Sequence, residues 1–381
     1  MEAREGIAVP VAEDVDAGKP RRGRSKRIAQ IVVSLVLVVG IFLFAIPKLA
    51  DYSQVWAAIT AMTWLELVSL ALATAFNLLT YWWQNMASMP GLGVWQAAVN
   101  NQTTTSVADT IPGGGYVAVG VGYAMYRSWG FSNAAIALSV AVTGIWNIFM
   151  KLALPVIALA LLAAQGQASG GLVAAASIGI AILAGGVLSF AMVLWKKALA
   201  RRIGDGLGKV LSFFRRLIRK PAAEGLGEAA VRFRRQTIDL VARRWLPLTG
   251  STVLSHLALY FVLLLALRHV GVSDHEIGWA SVLGVYAFGR LLTALPLTPG
   301  GVGIVELSYI GGLILAGRNH ADVPAEVFAG QVAAAVLVFR TLTYGIQIPL
   351  GGITYLIWHA KKGWLRPAPA EPVPAPVASA P

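Results

Sequence analysis

The sequence predicts an all-α polytopic membrane protein of about six to eight transmembrane helices, broken at two Pro-Gly-Gly segments. Three observations carry that expectation. Hydrophobic residues make up 57% of the 381 residues, only 13% are charged, and the mean hydropathy is +0.67. Several apolar runs reach the ~18 or more residues that a bilayer crossing needs. Finally, Pro112-Gly113-Gly114 and Pro299-Gly300-Gly301 interrupt otherwise membrane-like sequence. Proline removes a backbone donor and disfavours helix in the residue before it. A broken segment at membrane depth persists only where protein or a water-filled cavity satisfies its backbone.

The elements follow in chain order. Residues 1–26 form a polar tail ending in the basic run Arg21-Arg-Gly-Arg-Ser-Lys-Arg27. That run directly precedes the apolar stretch Ile28–Ile46, so it reads as a cytoplasmic anchor for an uncleaved first span rather than a nucleic-acid arm. Asp51–Met62 reads as an interfacial segment and Trp64–Met86 as the second span. From Val94 the chain turns polar, with Asn100, Asn101, Gln102, three threonines, Ser106 and Asp109 leading into Ile111-Pro-Gly-Gly-Gly115. Such a stretch is too polar for a lipid-facing span, and a re-entrant hairpin turning at Pro112-Gly113-Gly114 fits it. Ala134–Ala164 and Leu172–Trp195 are the next two spans, closing a first membrane half at 27–195.

Residues 196–245 form a basic segment, in which Lys196–Arg244 holds 14 Lys/Arg against four acids. Within it Leu207, Val210, Leu211, Phe214, Leu217 and Ile218 recur at helical spacing beside Arg215, Arg216, Arg219 and Lys220. This pattern predicts an amphipathic cytoplasmic helix on an anionic lipid surface. The second membrane half, 246–362, contains the span Leu246–Leu267, then Ile277–Leu295 running into the second broken motif. Ile304–Ala316 carries the chain away from it, and Val327–Trp358 is a long final span. Residues 363–381 are a Pro/Ala-rich tail without core-forming capacity.

Both termini and the basic middle segment fall on the cytoplasmic side if each Pro-Gly-Gly segment belongs to a hairpin returning to the side it left. The first hairpin then opens from inside and the second from outside. That is the arrangement an inverted repeat gives secondary transporters, whose sites lie near the midplane among discontinuous helices. Two full crossings in place of either hairpin keep the same parity.

Ionisable groups inside membrane segments are expensive and by default point to function. Here they are Asp109, Lys151, Arg290, Glu306 and Arg340. A guanidinium fork grips phosphate or carboxylate through two bonds, so Arg290 and Arg340 beside a gap in the helix ladder suit a phosphate-bearing headgroup. Glu306 and Asp109 suit a cationic group or a transported proton. The competing reading pairs Glu306 with Arg290 or Arg340 merely to lock helices together. For Lys151 the competing reading is a long side chain snorkelling to the interface. His256 reads as a satisfied core or interface residue rather than a proton relay, and Asn77, Asn85, Asn147, Gln331 and Gln347 read as hydrogen-bonding between helices. Trp82, Trp83, Trp95, Trp129, Trp195, Trp245 and Trp358 read as an interfacial aromatic belt.

No Walker loop, His-Glu-x-x-His or Gly-x-Ser-x-Gly motif is present, and there is no cysteine. The expectation is a non-enzyme without cofactor or metal. The net charge of +13 sits beside membrane segments, as the positive-inside rule expects, so no nucleic-acid partner is expected.

The stretch Thr298-Pro-Gly-Gly-Val-Gly-Ile-Val-Glu306 resembles the lysylphosphatidylglycerol synthase transmembrane-region family, also called flippase-like membrane proteins. Ala108-Asp-Thr-Ile-Pro-Gly-Gly-Gly115, Tyr126-Arg-Ser-Trp-Gly130 and Gly144-Ile-Trp-Asn147 resemble the same family's first half. The resemblance implies a bacterial or archaeal cytoplasmic-membrane protein. In the best-understood members this region moves aminoacylated phosphatidylglycerol between leaflets, and relatives move other lipids or polyprenyl-phosphate carriers. Members often carry an acidic residue and an arginine soon after the first Pro-Gly, whereas Tyr116-Val-Ala-Val-Gly-Val has neither. Only the Pro/Ala tail follows Arg366, so the soluble aminoacyl-transfer domain is expected to be missing.

Three functions are compatible with these features. One is a lipid translocase whose headgroup crosses a polar midplane cavity between the two Pro-Gly-Gly turns. The second is a secondary transporter of a soluble substrate. The third is a non-transporting membrane partner of an envelope lipid or glycan enzyme.

Overall fold

The computed structural model of the chain describes residues 51–111, 113–166, 170–217, 221, 225–293 and 298–360. The expected first span Ile28–Ile46, the tails 1–26 and 363–381, Pro112 and Pro296 lie outside the described residues, as do Ile218, Arg219 and Lys220. Among the described residues the fold is all-α, with no strand, and six helices are long and apolar enough to cross a membrane.

Helices begin where the sequence supplies a cap. Asp51 accepts from the Ser53 N–H at 2.7 Å to start α1 (Tyr52–Thr60). Thr63 and Glu66 form a reciprocal capping box for α2 (Trp64–Ser88), which satisfies donors that the first turn leaves free. The polar stretch becomes α3 (Val94–Thr110), whose C-cap Ile111 leads to Gly113, left-handed at φ 69, and α4 (Gly114–Ser128). α3 and α4 pack as a helical hairpin. Ser132 caps α5 (Asn133–Ala164), followed by α6 (Gly170–Trp195), the most uniformly apolar helix.

The basic segment folds as α7 (Lys197–Leu217) against the first half of α8 (Leu226–His269). α8 covers 44 residues as two helical parts meeting at a kink, with non-helical backbone at Arg244 (φ −132, ψ 17) and Pro247 just beyond. Proline there removes a ladder bond and crowds the preceding turn, which accounts for the kink. The expected boundary between the basic segment and the span Leu246–Leu267 falls at this kink. Arg244 uses it to donate to the Met86 carbonyl at 3.1 Å, near the end of α2. On α7, Leu207, Val210, Leu211 and Phe214 are exposed as one apolar face beside Arg215 and Arg216.

The second broken motif joins α9 (Trp279–Leu292) to α10 (Ile304–Gly317) through a 3₁₀ turn at Pro299–Gly301. α9 and α10 also pack together as a hairpin. The expected final span is present as one long apolar helical run, Ala325–Ala360, with a change of helix type inside it. α11 (Ala325–Arg340) passes into a π-helical turn at Thr341–Gly345 before α12 (Gln347–Ala360). Such turns reset the helix face and favour functional positions.

The main core lies where α2, α8, α9, α10 and α11 meet, around Leu70, Leu263, Tyr286, Tyr309 and Phe328. Polar side chains cross between helices inside it. Asn77 donates to the Ser255 carbonyl at 2.9 Å, Gln84 donates to Thr252 at 2.6 Å, and Asn147 donates to Gln84 at 3.4 Å. Two residues assigned to the aromatic belt belong instead to a second core. Trp129 and Trp358 are buried among Met89, Met125 and Tyr126, and the Trp358 indole donates to Ser128 at 2.9 Å. α3 lies along α12 there, and Gly351 allows the contact: a Cβ would stand 2.2 Å from Ser106 Cβ.

Candidate functional site

The two glycine-rich turns meet. A cavity of about 410 Å³ opens between the tips of the α3–α4 and α9–α10 hairpins, the α2 residues Asn77 and Tyr81, and the π-turn after α11. Asp109, Gly113, Gly114, Arg290, Pro299, Gly300, Gly301 and Arg340 all line it. Glu306 and Lys151 stand just behind its wall. Pro112 lies outside the described residues.

Glu306 owes its place to the turn. With Gly303 at φ 85, the chain swings into α10 so that Glu306 Oε2 accepts from the Gly303 N–H at 2.6 Å. Its other oxygen accepts from Arg340 Nε at 2.6 Å, with side chains only 3% and 13% exposed for the glutamate and the arginine. Of the two partners open to Glu306 from sequence, the fold selects Arg340. Arg340 then donates to the Gly300 carbonyl at 3.2 Å and lies 4.4 Å from the Tyr344 ring centroid. Tyr344, one turn further on, donates to the Asp109 carbonyl at 2.7 Å and reaches the Pro299 carbonyl at 3.4 Å. One tyrosine thus ties both broken segments to the π-turn.

Gly300 is required by this junction. Its φ of 55 is left-handed, and a Cβ would fall 2.1 Å from Tyr344 Cε2 and 2.9 Å from Asp109 Oδ1. Gly300→Ala is expected to lower stability by about 1–3 kcal/mol through backbone strain and overlap. Thermal unfolding in detergent measures this, and an unchanged midpoint would show that the turn does not need glycine.

Arg290 differs from Arg340. It sits at the end of α9, enclosed by the helices yet open to the cavity, close enough to Tyr81, Tyr286 and Tyr309 to interact electrostatically. Among the described residues it has no salt bridge or side-chain hydrogen bond, and its Nε is buried without an acceptor. Lys151 approaches from α5 and donates to Thr293 Oγ1 at 3.1 Å, while Thr293 itself lines the cavity. With Arg340 matched by Glu306, Arg290 and Lys151 remain against Asp109 alone, and the site carries an excess of positive charge. Buried charge is usually paired, so a lone guanidinium facing a polar cavity is poised for an anion.

His256 is buried in the core as expected, with Nδ1 3.0 Å from the Thr252 carbonyl of its own helix, but it is not fully satisfied: its Nε2 is buried with no hydrogen-bond partner among the described residues. Asn77 both bridges helices and lines the cavity, and Gln347 lines it from α12. Among the described residues Asn85 forms no interhelical bond, and it instead faces a second, smaller cavity. Gln331 Oε1 is buried without a partner among the described residues. Tyr81, Asn101, Thr105, Thr293 and Tyr344 also line the main cavity; Asn101 and Thr105 belong to the polar stretch the sequence marks as anomalous, whereas Tyr81, Thr293 and Tyr344 carry no such mark. Two spacing signals were present: Tyr344 lies four residues after Arg340, and Thr105 four after Asn101, so each pair shares a helix face.

The sequence profile described as lysylphosphatidylglycerol synthase TM region matches residues 31–351, most of the chain. The chain belongs to that family. It is therefore a multi-pass integral membrane protein of a family associated with lipid handling. No curated protein matches the chain. Both Pro-Gly-Gly turns, and the cavity between them, lie within the family's span.

Proposed function

We propose that this protein is a transbilayer lipid translocase that carries out no covalent chemistry. The observation that supports this reading best is Arg290, unpaired on the wall of a polar cavity enclosed by apolar helices. A volume of about 410 Å³ falls within the ~300–1,000 Å³ of pockets that enclose small ligands. It accommodates a phosphate-bearing headgroup and excludes two acyl chains, which stay in lipid. Arg290 holds the phosphate, with Lys151 adding to the local positive potential. Asp109 faces the cationic part of a headgroup that has one. Glu306 does not touch the lipid but fixes the Arg340 guanidinium at the Gly300 turn.

In this reading the hairpins are re-entrant and the protein sits in the cytoplasmic membrane with both termini inside. The exposed apolar face of α7 and its arginines rest on the anionic inner leaflet. The test is transfer of headgroup-labelled lipids in proteoliposomes. Phosphatidylglycerol, its lysyl derivative and a polyprenyl phosphate are compared side by side. One of them is expected to cross at least tenfold faster than in protein-free vesicles. If none does with folded protein, the translocase reading is wrong.

A further inference from the structure

A second cavity, of about 290 Å³ and lined by both polar and apolar side chains, lies between α3, α4 and α5, with Asn85 of α2 also in its lining. It runs along α3 from Ala108 towards Asn100, and so away from the hairpin tip and towards the end where α4 stops and α5 begins. The two cavities share three wall residues: Thr105, Ala108 and Gly115. They adjoin at the first turn of α4. Gly115 is helical, and a Cβ built on it would meet nothing within 4 Å. The junction is therefore open space at a position where a side chain carries no intrinsic backbone strain.

The lining suits a polar traveller. Asn85 and Thr105 make no side-chain hydrogen bond among the described residues, while the Thr104 and Thr143 hydroxyls are held by carbonyls of their own helices. Hydroxyls so held keep lone pairs for a further donor. The outer wall is thin: α4 packs closely on α3 but touches α5 little. Tyr123 donates to Asn133 at 2.8 Å where the two helices approach their shared end. Val119, Tyr123 and Val140, all exposed, form the lips of this seam.

We propose that the seam between α4 and α5 is the lateral path of the headgroup. Through it a polar, phosphate-bearing headgroup passes between the Arg290 cavity and the membrane face at which α4 ends, with its acyl chains outside between the two helices. The inference rests on the translocase reading and assigns it a route. Asn85, Thr105 and Thr143 replace the water that the headgroup loses along the way, and Gly115 is the gate through which it enters the main cavity.

The path is tested in proteoliposomes carrying the three labelled lipids above, with wild type, Arg290→Ala, Gly115→Leu and Gly120→Leu. Gly120 also lies on α4 with nothing within 4 Å of a built Cβ, but it lines neither cavity. Transfer at least tenfold slower in Gly115→Leu, with Gly120→Leu within about twofold of wild type, is the expected result. Wild-type rates in Gly115→Leu alongside a dead Arg290→Ala would overturn the path and leave the cavity standing. Absence of transfer in wild type would overturn both. Because the chain has no cysteine, Thr143→Cys provides a variant independent of folding. A bulky maleimide added after reconstitution should stop transfer, and labelled protein that still transfers at its unlabelled rate rules the path out.

Discussion

Glu306→Ala is expected to lower stability by about 3–5 kcal/mol and to abolish lipid transfer. The size follows from what is left behind. Glu306 is 3% exposed and bonded at 2.6 Å both to Arg340 Nε and to the Gly303 N–H. Removing it leaves a buried guanidinium without a counter-ion and a turn amide without an acceptor, which is far worse than removing both members of a pair. The double variant Glu306→Leu/Arg340→Met should therefore recover most of the stability, because apolar side chains of similar volume replace the pair. It should not recover transfer, since the Arg340 contacts that hold Gly300 and Tyr344 at the cavity are gone. Denaturant or thermal unfolding of the three variants in detergent measures the first effect, and a destabilisation below about 1 kcal/mol in Glu306→Ala would mean that the pair is not truly buried.

Arg290→Ala is expected to act in the opposite manner, with a large loss of function and little loss of stability. Its guanidinium has no partner among the described residues, so truncation breaks no ion pair and relieves the desolvation of a lone charge. What it removes is the charge-assisted grip on phosphate. Such bonds contribute about 1.5–3 kcal/mol each, which corresponds to an affinity loss of about 10–100-fold for the lipid. Arg290→Lys should recover only part of it, because an ammonium keeps the charge but not the two-pronged geometry. Lipid binding to detergent-purified protein, followed by the lipid-induced rise in unfolding temperature, checks both statements. A lysine variant that binds as tightly as wild type would show that charge alone matters.

The all-α membrane fold was legible because the bilayer imposes a strong rule: crossings need long apolar runs, and breaks need a reason. Trp64, Asn133 and Ile304 start helices within a residue of where the pattern puts them. Departures occur where tertiary packing decides. Gly345 and Pro349, whose missing N–H leaves the Gly345 carbonyl without its helical donor, announce a disturbance here, but not that a π-turn would bring Tyr344 onto the two glycine loops. Trp129 and Trp358 stand near helix ends, where an aromatic belt and a buried aromatic contact produce the same sequence. The kink at Arg244 was half legible, since Pro247 announces a disturbance but not whether the helix continues through it.

For the site, the sequence narrowed Glu306 to two arginines and stopped there. Spacing along a chain does not say which of two neighbouring helices presents its face, and only the fold separates the paired Arg340 from the unpaired Arg290. The polar stretch from Asn100 to Asp109 was legible as anomalous. Its division into three faces was not: Thr103 and Ser106 bond to α12, Asn101 and Asp109 line the main cavity, and Asn100 and Thr104 line the second one.

The most direct test of the central claim is the rate at which headgroup-labelled lipid becomes accessible to a membrane-impermeant quencher in proteoliposomes, measured for wild type and Arg290→Ala at equal folded protein. Rapid equilibration of at least one phosphate-bearing lipid by wild type is expected, with the rate in Arg290→Ala reduced by about 100-fold, towards that of empty vesicles. Equal rates in the two proteins would contradict that claim, because the unpaired guanidinium in the cavity would then have no part in moving lipid.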